Sequence, residues 1–206
     1  MALGTVTVPY ELRFDSGRSC LDLLATRHPY EHLDGTAPLR AWITGAGLVP
    51  PGTPLTHADP GWTAAFRELR GDIDRLVRDW LARTDPGPYD AALARVNAAA
   101  RPAPPVPRAV RDEDGTLVRE LDAPPQCAAL LAAVARDTVE LLTDPAARAG
   151  LRECAGDNCP IVYVDTSRGR RRRWCSSEVC GNRERVARHR RRVARERAQL
   201  PGMRLL

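Results

Sequence analysis

Four of the chain's six cysteines fall into two pairs of equal spacing, Cys154 with Cys159 and Cys175 with Cys180. Each pair is separated by four residues, and the segment Pro160 to Trp174 joins them. Thiolates delivered two at a time from short knuckles build a tetrahedral sulfur shell. A full shell leaves no position for water, so the implied chemistry is one structural Zn2+ and not catalysis. The same shell also holds iron–sulfur clusters, and four reduced thiols in a core are the plainest alternative.

Arginines crowd the same region. Arg170, Arg171, Arg172 and Arg173 lie between the pairs. Beyond Cys180 a helical pattern places Arg185, Arg188, Arg192 and Arg195 on one face, with Arg191 beside them. Asn182 and Arg183, at the start of that helix, are placed to reach base edges, the alternative for Arg183 being that it braces the fold. Val186, Val193 and Ala194 lie largely opposite and are expected to dock on the rest of the chain. Phosphate contacts from such a surface release counterions, giving binding that falls steeply with salt. A solvated helix that binds nothing is the alternative. Trp174 reads as a cap over the metal site.

From Leu151 onward 15 arginines face 6 acids, a balance of +9, whereas residues 1–150 carry −4. The net +5 therefore hides a basic module on an acidic body, and all 31 basic residues are arginine. A polyanion partner is expected for the module alone, duplex DNA first and RNA second. No apolar run approaches the length of a membrane span and no leader pattern stands at Met1, so no membrane partner is expected and a cytoplasmic location is. Reducing conditions there favour metal ligation by thiolates over disulfides.

Other constellations are weaker. His28-Pro29-Tyr30-Glu31-His32 has an H-x-x-E-H spacing, but Pro29 denies both histidines a common helical face, and these residues read as surface polar groups. Cys20 and Cys127 are single thiols on apolar helix faces and read as small core residues. There is no phosphate-binding glycine loop and no nucleophile–base signature; the chain is not expected to be an enzyme.

The elements that must position these groups follow from hydrophobic period and punctuation. A strand entry over Val6 to Asp15 precedes a helix capped by Ser19 and ending near His28. A second helix spans Pro38 to Ala46. The strongest helical signal runs from Pro60 to Arg83, with Phe66, Leu69, Ile73, Leu76, Val77, Trp80 and Leu81 in step. Tyr89 to Ala100 and Pro125 to Thr143 form further helices, the latter with Leu130, Leu131, Val134, Val139 and Leu142 inward. Asp144-Pro145 starts one more turn. Between the last two long helices, Asp114-Gly115 marks a hairpin joining Ala109–Arg111 to Thr116–Arg119. In the module, Ile161 and Tyr163 are expected to pair with Arg171 to Trp174, and Ser176 or Ser177 to cap the last helix. The fold class expected is α+β: a mostly helical domain with a small hairpin over 1–150, then a four-cysteine module of hairpin plus arginine-rich helix over 151–206. That module has few apolar residues of its own, so its folding is expected to depend on the metal.

Trp174-Cys175-Ser176, followed by Cys180-Gly181-Asn182-Arg183, resembles the CGNR zinc finger. Leu151-Arg152-Glu153-Cys154 and Val164-Asp165-Thr166-Ser167 resemble its first knuckle and hairpin. Leu21 to Thr26, Trp42 to Leu48 and the Asp114-Gly115 turn resemble the ABATE domain, associated with stress-induced transcription regulation. Ala25 departs from a pattern that tends to have Asn there. The resemblance covers nearly the whole chain and implies a bacterial, DNA-binding transcription regulator, with an unidentified small ligand of the N-terminal domain as a possible further partner. An RNA- or ribosome-associated binder, and a redox sensor whose oxidised thiolates release zinc, are the other readings.

Overall fold

The computed structural model describes residues 12–82 and 87–199. The order of elements is α1 (Ser19–Ala25), α2 (Thr36–Gly45), α3 (Pro60–Ala82), α4 (Gly87–Ala99), β1 (Pro107–Arg111), β2 (Leu117–Leu121), α5 (Cys127–Thr143), α6 (Pro145–Arg148), β3 (Leu151–Glu153), β4 (Val162–Val164), a π-helical turn (Ser177–Gly181) and α7 (Asn182–Gln199). The chain is a mostly helical α+β fold with two small antiparallel hairpins and a cysteine cluster ahead of its last helix.

The longest helix, α3, is the body's axis. Asp59 Oδ1 accepts the Trp62 backbone N–H at 3.1 Å, and Pro60 takes the first helical position, where its missing N–H removes no bond. Phe66, Ile73, Leu76 and Val77 are fully buried, as their spacing predicts. Trp80 departs from that stripe. It is 41% exposed, with the Arg148 guanidinium 4.2 Å above its ring, so a cation–π contact replaces burial.

Helices α1, α4 and α5 pack on α3, and α5 also touches α1 and α4. The inward stripe of α5 is Leu130, Val134, Thr138 and Leu141; Leu131, Val139 and Leu142 are only partly covered. Thr138 is polar, yet its Oγ1 donates to Val134 O at 3.0 Å, and this local bond lets it sit in an apolar stripe. The cap of α1 also differs from expectation. Ser19 is the first helical residue, and the capping acceptor is Asp137 of α5. Its Oδ2 receives Ser19 Oγ at 3.0 Å and Cys20 N–H at 2.9 Å, and Arg18 Nε lies 2.7 Å from Oδ1.

The first hairpin pairs Pro107–Arg111 with Leu117–Leu121. Asp112 Oδ1 accepts Asp114 and Thr116 N–H groups across the turn, and Gly115 takes φ +77° there. The second hairpin corrects the expectation. Its strands are Leu151–Glu153 and Val162–Val164, with Leu151 opposite Val164 and Glu153 opposite Val162. Arg171 to Trp174 form no strand. The Cys154 to Cys159 knuckle is thus the loop of this hairpin, which brings the first thiol pair to its tip. The alternation Val162-Tyr163-Val164 marks a strand, but nothing in it says which neighbour is the partner.

Leu151, Val162 and Val164 belong to the same buried cluster as the helical body. Ser16 O accepts Val164 N–H at 2.9 Å, and Gly17 at φ +89° places its α-carbon against the Val164 backbone. A residue with a side chain would be strained at that φ. Of the expected strand entry, residues 6–11 lie outside the described residues, and Leu12 to Asp15 form no strand. Among the described residues no helix is long and apolar enough to cross a membrane.

Candidate metal centre and nucleic-acid surface

Zinc–thiolate bonds of about 2.3 Å at tetrahedral angles put sulfurs about 3.8 Å apart. The Sγ atoms of Cys154, Cys159, Cys175 and Cys180 all lie within 4.8 Å of one another. Cys159 to Cys175 and Cys175 to Cys180 are each 3.6 Å. The four donors are therefore gathered closely enough to share a single ion. Each half has a local cause. In the first knuckle Asn158 adopts φ +55°, and a Cβ on Gly156 would stand 3.3 to 3.5 Å from Cys154 and Cys180 atoms. In the second, Ser176 Oγ caps the π-helical turn by accepting Val179 N–H at 3.3 Å, which fixes Cys180 near its end. The expectation that one of the two serines caps here holds for Ser176.

Groups around the sulfurs favour negative charge. Gly156 and Cys175 N–H groups point at Cys154 Sγ at 3.4 and 3.3 Å, and the Arg13 guanidinium stands beside Cys175. A hydrogen bond with Cys159 and burial push the Cys175 thiol well up, and burial pushes Cys180 up to about 11. Four sulfurs this close do not ionise together unless a cation sits among them. A divalent, thiophilic ion supplies that charge, and the fully thiolate shell gives it structural work and no open coordination position. Cys154, Cys175 and Cys180 are buried, and Cys159 is partly covered. Ala25 packs into this cluster, so the last residue of α1 touches the metal module. Trp174 packs there as well, and a Cβ on Gly181 would lie 3.6 Å from its ring, which agrees with its reading as a cap.

The arginines divide into two kinds. Arg172 is half-buried and turned inward. Its guanidinium donates to Trp174 O at 2.8 Å, to Asp15 O at 3.0 Å and to Cys175 O, and it lies 4.5 Å from the Tyr163 ring centre. Its backbone N–H donates to Asp165 Oδ2, and its carbonyl accepts the Tyr163 hydroxyl at 2.6 Å. Arg172 thus ties the second knuckle to the body, and sequence spacing gave no sign that it differs from its neighbours.

Arg170, Arg171 and Arg173 are exposed around it. Arg170 reaches Ala146 O at 3.3 Å, and Arg173 lies 5.4 Å over the Trp174 ring, which places it beside the start of α7. On α7, Asn182, Arg183, Arg185, Arg188, Arg191, Arg192 and Arg195 are all exposed. Arg185 donates to Asn182 Oδ1 at 3.2 Å, and Arg191 pairs with Glu184 at 2.6 Å. The apolar side does not dock as expected: Val186 is 43% exposed and Ala194 is exposed. Alanine and valine at these positions give too narrow a stripe to bury.

The H-x-x-E-H residues do not converge on a metal. Glu31 is held by Arg70 through both carboxylate oxygens, and that pairing pulls its carboxyl down to about 2. His32 is buried and not a surface group, with Nε2 3.0 Å from His28 O. Cys20 is fully buried and Cys127 partly so, both packed with the body core.

Comparison with known families agrees with this geometry. Comparison with curated proteins returns no significant match. The CGNR zinc finger matches residues 151–193, the segment holding all four sulfurs, and the chain carries one structural zinc. Residues 17–145 match ABATE, described as "Putative stress-induced transcription regulator". The chain belongs to the ABATE family, with a CGNR zinc finger following the family domain.

Proposed function

We propose that the protein is a cytoplasmic bacterial transcription regulator that binds duplex DNA through its zinc-anchored arginine surface, and that it acts by binding and not by catalysis. The observation that carries this reading is the exposure of Arg170, Arg171, Arg173, Arg183, Arg185, Arg188 and Arg192 on one small module stapled by four cysteines. Arginine forks bind phosphate oxygens bidentately, and Asn182 and Arg183 at the head of α7 are the side chains of the right chemistry for base edges. Zinc fixes where α7 leaves the module, so the metal positions the surface without touching the nucleic acid.

Competition between labelled duplex DNA and a structured RNA hairpin tests the partner. Preference for the duplex supports the reading, and preference for the RNA replaces it with an RNA-binding role. Cys159 is the least covered ligand, which favours a second reading in which an oxidant attacks there and releases the zinc. Mild peroxide with a zinc-release dye checks it; a site that stays loaded leaves only the structural role.

A further inference from the structure

The 18 residues of α7 leave the zinc module with little of the chain beside them, and their main contacts are with the π-helical turn. One side of the helix is accounted for. Gly156, Asp157 and Cys180 of the metal knuckles share a small hollow with Arg183, Glu184 and Ala187, so this side is the back of the helix. Glu184 is paired with Arg191 there at 2.6 Å.

The front differs in kind. At about 100° per residue, Asn182, Val186, His189 and Val193 form one stripe on the side away from Glu184 and Arg191. Asn182, Val186 and His189 are exposed and Val193 partly so, and no described carboxylate lies among them. Arg185 and Arg192 flank the stripe on one side, Arg183 and Arg190 on the other, each about 70–90° around the helix from its centre.

Cations on one flank alone would suit a helix lying along a single row of phosphates. Cations on both flanks, with an uncharged stripe between, suit a helix set between two rows. The major groove of B-DNA has that cross-section: it is about 12 Å wide, admits a helix of about 10–12 Å and has base edges at its floor. A second copy of α7 does not fit the stripe, because arginine would meet arginine along both flanks. Duplex RNA does not fit it either, since its major groove is too deep and narrow for side chains to read.

The chemistry of the stripe narrows the bases. Asn182 Oδ1 accepts from Arg185 at 3.2 Å, which holds the amide on the front and leaves its N–H groups to donate. An amide that both donates and accepts matches adenine at N7 and N6. Val186 is 43% exposed, and Val193 follows seven residues on. Their methyl groups match the 5-methyl of thymine, the apolar group on the groove floor. His189 lies between them and offers a ring N–H to the N7 acceptor that both purines carry, so it selects less. From Asn182 to Val193 the stripe runs about 16 Å, about five base pairs.

We infer that α7 lies in the DNA major groove and reads A·T pairs there, with Asn182 on adenine and Val186 and Val193 against thymine methyls. This readout rests on the DNA-binding reading above, to which it adds the groove, the face of the helix and the bases selected.

Fluorescence anisotropy with the zinc-loaded full chain tests it. The probe is a short alternating A·T duplex, compared with duplexes that carry uracil for every thymine or 7-deazaadenine for every adenine. The parent should bind the thymine duplex about tenfold more tightly than the uracil duplex, the worth of two buried methyl contacts. The Val186→Ala, Val193→Ala variant should bind those two duplexes equally. Loss of adenine N7 should weaken the parent about tenfold and Asn182→Ala clearly less. Alanine preserves helix propensity, and equal zinc content is required of every variant. Equal affinity of the parent for the thymine and uracil duplexes, with a steep salt dependence kept, overturns the readout and leaves the DNA reading. No binding to any duplex at low salt overturns both. A self-associating parent that the valine substitutions render monomeric would give the stripe to a second copy and overturn the readout.

Discussion

At the scale of single residues, chemistry that looks uniform in the sequence separates by environment. Arg170 to Arg173 are one run of identical side chains, but only Arg172 is turned inward onto three backbone carbonyls and the Tyr163 ring. Lysine keeps the charge but cannot span three acceptors with a planar fork. Arg172→Lys should therefore lose about 2–3 kcal/mol of stability in urea denaturation of the zinc-loaded protein, while Arg171→Lys stays within about 0.5 kcal/mol. Equal effects at the two positions would contradict the inward role. Asp22 is a second case. It is 6% exposed, accepts the Ser16 N–H at 3.0 Å, and burial pushes its carboxyl up to about 7, with the charges of Asp15 and Asp137 adding to the rise. A raised folded value means the folded state binds this proton more tightly than the unfolded chain does. Its contribution is fully present below the unfolded carboxylate range and is lost as pH rises through about 7. Asp22→Asn keeps an acceptor without the charge, so its stability relative to the parent should rise between about pH 4 and pH 7 and level off above. A pH-independent difference in melting temperature would show that Asp22 titrates normally.

At the scale of elements, what was legible depended on whether the deciding partner was local. α3 announced itself through period and its Asp59-Pro60 start; the first hairpin did so through Asp114-Gly115, and the four cysteines through spacing. The partner of β4 was not legible, because pairing depends on where the knuckle folds back, and a three-residue strand carries no register signal. The cap of α1 was hidden for the same reason, since Asp137 lies 118 residues from Ser19. These non-local contacts make a prediction about the metal. The β3–β4 hairpin is anchored twice, by zinc at its tip and by Leu151, Val162 and Val164 in the body core. The π-helical turn and the second knuckle have chiefly the zinc and Arg172. Chelation should therefore abolish hydrogen-exchange protection at Val179 to Gly181 while Val164 and Asp165 N–H groups, bonded to Ser16 O and Gly150 O, keep theirs. Loss of protection at both sites together would mean that the module and the body unfold as one.

At the scale of the whole molecule, charge and metal are concentrated at the same end. The acidic body supplies a core, and the zinc module supplies the exposed positive surface. Charge asymmetry was readable from composition; which arginine of the Arg170–Arg173 run turns inward was not, because Arg172 is held by Tyr163, Asp165 and Asp15, none of them adjacent to it in sequence. The central claim is that this surface binds duplex DNA through phosphate contacts. The most direct measurement is the slope of log Kobs against log salt concentration for the zinc-loaded protein and for a variant carrying Arg171→Gln, Arg173→Gln, Arg188→Gln and Arg192→Gln. A steep negative slope is expected for the parent, made shallower by about 3 to 4 units in the variant at equal zinc content, since each lost phosphate contact removes about 0.9. A parent affinity that does not change with salt, or a variant with the parent's slope, would contradict the account.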